Sequence, residues 1–209
     1  LTWLPFMILI VFTDVLIRAL RWRILLSKAV KAPLLLMFRL EAIGLAVNNV
    51  LFARIGELAR AVLAAREMRL PLATALASVA VERALDVAAL LTLFATASWS
   101  APGLVSASLR RTALILLVGV FAALIFLILA ERTLEPGGWL ERRLRARPKI
   151  HDLILQLALG AAVLRQGRAA LSVAGLSLGL WLVDAGLYWA GARALGMGSV
   201  IDYSRSILV

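Results

Sequence analysis

Residues 48–60 read Asn48-Asn49-Val50-Leu51-Phe52-Ala53-Arg54-Ile55-Gly56-Glu57-Leu58-Ala59-Arg60. Two amides and three charges follow the apolar segment 34–47, where a membrane span would place them in or near hydrocarbon. Polar groups at that depth are costly, usually face protein or water, and mark a functional site by default. Because Gly56 also permits a helix break or a close backbone approach, we predict a helix interrupted at a polar site. The alternative is an ordinary helix end with a charged cap in the cytosol.

The composition is that of an integral membrane protein. Hydrophobic residues make up 63% of the 209 residues and the mean hydropathy is +0.95, whereas soluble domains contain about 45–50% apolar residues. The length allows several spans of about 20 residues each. Both ends of the sequence lie inside apolar runs, so we expect one transmembrane domain over 1–209, a fragment that lacks the C-terminal part of a longer chain. The absence of cysteine excludes disulfides and thiol chemistry.

The apolar pattern predicts an all-α, multi-span helical bundle. Residues 113–130 are uncharged and form the least ambiguous span, whereas the predicted helices 1–20, 72–99 and 171–195 each contain acidic residues. Residues 151–166 are short and amphipathic, which favours a helix at the membrane interface over one that crosses. Asp14 of the first helix requires a partner, which Arg39 or Arg83 could supply.

The distribution of Lys and Arg indicates how residues 48–60 meet the membrane. If residues 34–50 crossed it, the most basic loop would lie outside, against the positive-inside rule. If residues 34–66 instead enter and return, the basic segments 18–31, 54–69, 132–149 and 165–168 all become cytoplasmic, and only Arg110 and Arg111 lie at the outer end of a helix. Re-entrant backbone is tolerated only where it is buried in protein or lines a wet cavity. We therefore predict a re-entrant or broken helix here, and Trp22 as an interfacial aromatic among cytoplasmic cations.

A second polar group lies in the middle of the predicted helix 72–99. Glu82 and Asp86 are four residues apart, so both carboxylates lie on one helix face, and Arg83 can pair with Asp86 at a spacing of three. At 1.5 Å per residue, all three fall near the middle of the bilayer. One interpretation is a self-neutralising ion cluster that only holds helices together. The other is a polar pathway shared with the charges of residues 54–60.

Together these motifs resemble the lysylphosphatidylglycerol synthase transmembrane family, also called the flippase-like domain. The resemblance is carried by Arg18-x-x-Arg21-Trp22, Asn48, Phe52-Ala53-Arg54-Ile55-Gly56-Glu57-Leu58-Ala59-Arg60 and Glu82-Arg83-Ala84-Leu85-Asp86, with Trp181, Asp184 and Tyr188 similar to a later acid-bearing helix. It covers nearly the whole chain. Ala53 stands where the family usually has proline, and a second glycine-rich, Glu-containing element of the family would lie beyond Val209.

The resemblance implies membrane-lipid handling in the cytoplasmic (inner) membrane of a prokaryote. Family members are associated with moving aminoacylated phosphatidylglycerol or other polar lipids between leaflets. The leading hypothesis is a multi-pass lipid flippase or transporter whose partners are membrane phospholipids. The alternatives are a membrane-embedded polar-lipid transferase, with Glu57 or Glu82 as general base, and a non-catalytic scaffold for a fused or partner synthase. The aminoacyl-transferase domain of some members is not in this chain, so we expect no synthase activity.

We predict a substrate-binding set that comprises Asn48, Asn49, Arg54, Gly56, Glu57, Arg60, Glu82, Arg83, Asp86 and Asp184. Arg54 and Arg60 would take a lipid phosphate, and the carboxylates would offset cationic charge on the headgroup. We expect no catalytic residue, metal or cofactor, because the sequence has no phosphate-binding glycine loop, no Ser-His-Asp set and one histidine, His151. In a chain this apolar, the net charge of +11 indicates contact with anionic headgroups and not with nucleic acid. The partner could also be a second copy of the chain.

Overall fold

The computed structural model describes residues 3–51, 55–100, 105–133 and 148–195. Within these ranges the chain forms seven α-helices and no strand, which confirms the all-α prediction. The helices are α1 Leu4–Leu25, α2 Leu34–Val50, α3 Gly56–Glu67, α4 Leu72–Ser100, α5 Ala107–Thr133, α6 Pro148–Ala161 and α7 Gly167–Ala194. Two 3₁₀ turns, Leu26–Lys28 and Ala162–Arg165, follow α1 and α6.

Proline marks the starts of four helices. Pro5 lies in the first turn of α1, Pro33 immediately precedes α2 with φ −68° and ψ 142°, Pro71 immediately precedes α4, and Pro148 is the first residue of α6. A proline in this position costs no helical hydrogen bond, because the first N–H groups of a helix have no partner within it.

The predicted interruption lies between α2 and α3. Helix α2 ends at Val50, Leu51 is extended with φ −109° and ψ 136°, and α3 begins at Gly56. The two helices pack antiparallel as a hairpin. A Cβ atom on Gly56 would lie 2.6 Å from Asn48 Oδ1 and closer still to the carbonyl oxygen of Gly44. The close packing of α2 on α3 therefore requires glycine at position 56.

Helix α4 is the element that most of the others contact. It packs against α1, α3, α5, α6 and α7. One buried core joins α1, the α2–α3 hairpin and the start of α4, and includes Trp22, Met37 and Ala64. A second core joins the end of α1 to α4 and α7 through Val81 and Val173. This packing holds the hairpin against α1 and α4 and brings its polar residues beside the middle of α4.

Helices α1 and α7 pack antiparallel. At one end the rings of Trp3 and Trp189 meet edge to face with centroids 5.8 Å apart, and nearer the other end Arg21 reaches Ser177. The middles of the two helices are therefore aligned. As a result, the acidic residues in the middle of each helix lie close to one another.

Two described helical segments, residues 107–129 and 167–194, are long and apolar enough to cross a membrane, judged by length and composition. Helix α5, which contains the first segment, exposes apolar side chains that include Ile115, Val118 and Ile125. Helices α1 and α4, with 22 and 29 residues, are also long enough, but each carries at least three charged residues. Most of those charges are buried or half-buried, which is why average hydropathy understates how apolar the outer faces of these helices are.

The predicted interfacial helix over 151–166 is part of the packed bundle. Helix α6 ends at Ala161 and packs on α4 and α5. Its backbone comes so close to α4 at Gly160 that a Cβ atom there would lie 3.1 Å from the carbonyl carbon of Ala77. Its depth relative to a membrane remains a prediction.

Candidate functional site

Five helices contribute charged side chains to one interior group, which we call the charged cluster. It contains six carboxylates and four guanidinium groups: Asp14, Arg18 and Arg21 of α1, Glu41 of α2, Glu57 and Arg60 of α3, Glu82, Arg83 and Asp86 of α4, and Asp184 of α7. Each member has at least one ion-pair partner within the cluster. Pairing is the expected state of buried charges, because an unpaired charge loses its hydration without compensation.

Glu82 lies at the centre of the charged cluster and has no exposed surface. Its Oε1 accepts hydrogen bonds from Arg21 at 2.8 Å and Arg83 at 2.9 Å, and its Oε2 accepts one from Arg60 at 2.8 Å. Hydrogen bonds between charged groups are roughly twice as strong as those between neutral groups. Through this one carboxylate, α1, α3 and α4 are joined inside the bundle.

Arg21 lies inside the bundle, whereas the positive-inside rule counts it among the basic residues of segment 18–31, whose cytoplasmic position stays a prediction. Its side chain is fully buried and donates hydrogen bonds to Glu82, to Asp86 and, at 3.1 Å, to Ser177 Oγ. Sequence reasoning missed it because it treated every cation after the first span as a topology signal. The available signal was helical spacing. Asp14 and Arg18 precede Arg21 by seven and three residues, so all three lie on the same face of α1.

Arg60 connects α3 to the centre of the charged cluster. Its buried guanidinium bonds to Glu41 and Glu82 and lies 4.7 Å from the ring centroid of Trp22, a cation–π contact. Trp22 is itself fully buried, and its Nε1 donates to Ser78 Oγ at 2.9 Å. The prediction of an interfacial role for Trp22 is therefore wrong, because its ring and its N–H both have partners in the core.

Glu41 is a member of the cluster that the predicted site set leaves out. It is buried and pairs with Arg60. Glu41, Gly44 and Asn48 are spaced by three and four residues, so they lie on the one face of α2 that packs on α3. That shared face was readable from the sequence, but the partner from another helix was not.

Asp14 finds its partner within its own helix. Arg18 Nε donates to Asp14 Oδ2 at 2.9 Å, and Arg18 also contacts Asp184 Oδ2 at 3.5 Å. The expectation that Arg39 or Arg83 would pair with Asp14 is therefore wrong. The spacing of four residues between Asp14 and Arg18 was the signal that could have identified the pair.

The other predicted residues of the stretch 48–60 have different surroundings. Asn48 Oδ1 accepts the backbone N–H of Gly56 at 2.7 Å, so this side chain of α2 satisfies one of the free donors at the start of α3. Asn49 is exposed and lies outside the charged cluster. Arg54 lies outside the described residues, so its predicted phosphate contact stays a prediction.

A cavity of about 330 Å³ lies against the charged cluster, and we call it the cluster cavity. Its polar lining combines the predicted Asn48, Glu57, Arg60, Arg83 and Asp86 with Arg18 and Glu41. On its wall, Arg83 contacts Glu57 at 3.5 Å and Asp86 at 3.1 Å, which confirms the pairing predicted at a spacing of three. The structure thus gathers residues of both sequence motifs around one space, while their role in binding a substrate remains a prediction.

Three buried N–H groups of residues that line the cluster cavity have no acceptor in the described part of the chain. They are Nε of Arg60, Nε of Arg83 and the indole Nε1 of Trp181. A buried donor without an acceptor costs about 1–3 kcal/mol. Since two of the three are guanidinium groups, the acceptors that suit them best are anionic oxygens, such as those of a phosphate.

A larger cavity of about 860 Å³ lies away from the charged cluster. It is lined by Lys28, Thr74, Arg165, Gln166 and apolar residues, and it shares no lining residue with the cluster cavity. Its lining contains cations but no carboxylate, so it lacks the charges of both signs that the motifs at residues 48–60 and 82–86 contain. The cluster cavity is therefore the candidate functional site.

The chain matches one described protein family. A sequence model of the family described as the lysylphosphatidylglycerol synthase TM region matches residues 1–202, which include all seven helices and both polar motifs. No curated protein and no solved structure matches the chain.

Proposed function

The chain belongs to the family of the lysylphosphatidylglycerol synthase transmembrane region, and from this premise we propose that it is a flippase that carries polar phospholipids between leaflets. The family is one of membrane domains with a lipid-related role, and lipid transfer is the step that we add. The observation that supports this step is that six members of the charged cluster line the cluster cavity. A mixed set of buried charges beside an open space suits a headgroup that carries charges of both signs.

In the proposed arrangement, α1, α4, α5 and α7 cross the cytoplasmic (inner) membrane of a prokaryote, and the α2–α3 hairpin enters and returns on the cytoplasmic side. Both ends of the hairpin carry cations, Lys28 and Lys31 before α2, and Arg66 and Arg69 at the end of α3. The positive-inside rule supports a cytoplasmic position for both ends. The buried Arg60 of the hairpin contacts Glu82 of α4 and Trp22 of α1, so this charge has protein partners at the depth that the arrangement gives it.

The charges of the cluster favour a headgroup that combines a phosphate with amines. Arg83 is the most exposed of the four guanidinium groups, with 39% of its side chain accessible, and it would take the phosphate. Glu57 and Asp86 flank Arg83 and would take ammonium groups. When ionised, the members that line the cluster cavity are balanced, with three carboxylates and three guanidinium groups. A lining with charges of both signs suits a headgroup that carries amines as well as a phosphate, such as a lysyl ester of phosphatidylglycerol.

The cluster cavity has the size of a headgroup site and not of a whole lipid. Its 330 Å³ lies at the lower end of ligand pockets, which span about 300–1,000 Å³. An apolar groove of about 320 Å³ runs along α1 and α7, lined by Phe6, Leu9, Thr13, Leu182 and Gly186 among others. In the proposed mode of transfer the headgroup occupies the cluster cavity while the acyl chains stay in this groove and in the surrounding lipid.

The test is reconstitution of the full-length protein in liposomes with labelled lipids, scoring both the leaflet and the chemical identity of each lipid. We expect lysyl-phosphatidylglycerol to reach the opposite leaflet unchanged. Glu57→Gln should slow this transfer about tenfold, which corresponds to about 1.4 kcal/mol of headgroup interaction. The abundance of this variant in the membrane should stay normal, because Glu57 is partly exposed and its ion pair with Arg83 is long, at 3.5 Å.

Glu67→Gln is the matched control, since Glu67 is an exposed acid of the same helix whose partner, Arg39, lies outside the cluster cavity. If both variants transfer lipid at the wild-type rate per molecule, the site assignment is wrong. A chemically altered lipid would instead indicate a transferase, and an unchanged leaflet distribution would indicate a scaffold. Glu82 is a poor candidate for the general base of a transferase, because arginine donors occupy both of its oxygens.

A further inference from the structure

Two carboxylates share one arginine where α1 meets α7. Arg18 Nε donates to Asp14 Oδ2 at 2.9 Å, and its NH2 group reaches Asp184 Oδ2 at 3.5 Å. Because Nε and this NH2 group lie on one edge of the guanidinium, the two carboxyl groups are neighbours at that edge. If both were ionised, this site would hold two negative charges against one positive charge.

One oxygen of Asp14, Oδ1, is left without a hydrogen-bond donor among the described residues at this site. The residue is 9% exposed, and its Oδ1 accepts no hydrogen bond from the described part of the chain. Leaving a buried carboxylate oxygen without a donor is costly, more so for a charged group than for a neutral one. The atom therefore requires a donor that the surrounding protein does not supply.

The neighbouring helices bring no spare cation. Among the residues that the structure describes, the charged groups nearest this site on the elements packed on α1 and α7 are Arg21 on α1 itself, Glu41 on α2, and Glu82 and Asp86 on α4. Arg21 already binds Glu82 and Asp86, and the remaining groups are acids. The more distant Arg60 and Arg83 are each shared by two or more other carboxylates.

We propose that Asp14 and Asp184 hold one proton between them and so form a proton-binding site beside the cluster cavity. A shared proton gives one carboxyl group an O–H donor, removes one of the two negative charges and leaves the remaining charge paired with Arg18. Adjacent carboxyl groups in proteins commonly behave in this way, because two like charges in contact cannot both be held ionised at low cost.

In the proposed arrangement the pair lies near the middle of the membrane and next to a residue that lines the cluster cavity. Asp14 lies eleven residues before the end of α1, roughly 16 Å along the helix at 1.5 Å per residue, which is about half the thickness of a hydrocarbon core. Arg18, which holds both carboxyl groups, lines the cluster cavity. A charge that occupies the cavity therefore acts on the proton through Arg18. The proton site itself requires no lipid substrate, so it goes beyond the proposed function.

The test is infrared spectroscopy of the purified full-length protein in lipid nanodiscs at neutral pH. A protonated carboxyl group has a carbonyl stretch that is separate from carboxylate bands and that shifts in heavy water. We expect such a band in the wild type. Asp14→Asn and Asp184→Asn should each abolish the whole band, because each leaves a single carboxylate ion-paired with Arg18. Asp152→Asn, which removes a largely exposed acid of α6, should leave the band unchanged.

Isotope labelling keeps the proposal testable if a variant fails to fold. In wild-type protein with ¹³C-labelled aspartate, the band should shift, since the proton resides on aspartate and not on the buried Glu41. A wild type without the band, a band that aspartate labelling does not move, or a band that survives both substitutions would each overturn the proposal. None of these readouts uses lipid transfer. Failure of the flippase assay with an intact band would overturn the proposed function and leave the proton site in place.

Discussion

Replacing Glu82 with glutamine removes the charge on which three arginines converge. Glutamine has nearly the same shape, so the packing of α4 is retained. Only one of its two terminal side-chain atoms can accept hydrogen bonds, whereas both oxygens of Glu82 accept from guanidinium groups. The amide NH2 group must therefore face either Arg60 or the pair formed by Arg21 and Arg83, donor against donor.

Two electrostatic effects of Glu82→Gln oppose each other. The cluster has an excess of carboxylates, so removing one of them reduces the total repulsion among acids. Against this, the substitution removes the negative charge that lies 2.8–2.9 Å from three guanidinium groups, and it breaks the hydrogen bonds on one side of the carboxylate. The short contacts dominate, because Coulomb energy falls with distance and the lost bonds are charge-assisted. Removing one partner of a buried ion pair costs about 3–5 kcal/mol, a large part of a total stability of about 5–15 kcal/mol.

The assay is denaturant unfolding of the purified protein, together with its abundance in the membrane. We expect Glu82→Gln to lose about 3–5 kcal/mol of unfolding free energy and to accumulate poorly. Glu67→Gln, which removes an exposed partner of Arg39, should change stability by no more than about 1 kcal/mol. If Glu82→Gln unfolds within about 1 kcal/mol of the wild type, Glu82 does not hold the three helices together and the reasoning is refuted.

Two further changes test the α2–α3 hairpin. Gly56→Ala would place a Cβ atom against Asn48 and the backbone of Gly44, so it should separate the helices and lower membrane abundance, whereas Gly119→Ala, whose Cβ would meet nothing within 4 Å, should not. A cysteine in place of Arg66, which is exposed in the last turn of α3, should react with an impermeant thiol reagent in inside-out vesicles but not from outside intact cells. Labelling from outside would contradict the re-entrant arrangement.

The parts of the site that depend on local geometry were predictable from the sequence. The helix break follows from two amides, three charges and a glycine within thirteen residues of an otherwise apolar region. The common face of Glu82 and Asp86 follows from their spacing of four, and the contact of Arg83 with Asp86 follows from a spacing of three. Each of these inferences needs only the period of an α-helix.

The parts that depend on contacts between helices were not predictable. Arg21 looks like a topology signal in the sequence, because the positive-inside rule counts every cation near a span end alike. Its burial depends on Glu82 and Asp86, which follow 61 and 65 residues later. In the same way, Glu41 interrupts an apolar run for no local reason, and its partner Arg60 lies on another helix. A single sequence does not show which residues of different helices form ion pairs.

The distribution of bonds within the cluster indicates which wall of the cluster cavity can move. Arg60 joins the hairpin to α4 and Arg21 joins α1 to α4, both through the fully buried Glu82. The polar contacts between α7 and α1 at the charged cluster are weaker. They are a 3.5 Å contact between Arg18 and Asp184 and a 3.1 Å hydrogen bond from Arg21 to Ser177 Oγ. Since buried charged pairs are the costlier contacts to break, we expect the hairpin, α1 and α4 to move as one body. In the proposed lipid transfer, we therefore expect the cavity to open along α7, where Asp184 would leave and rejoin Asp14.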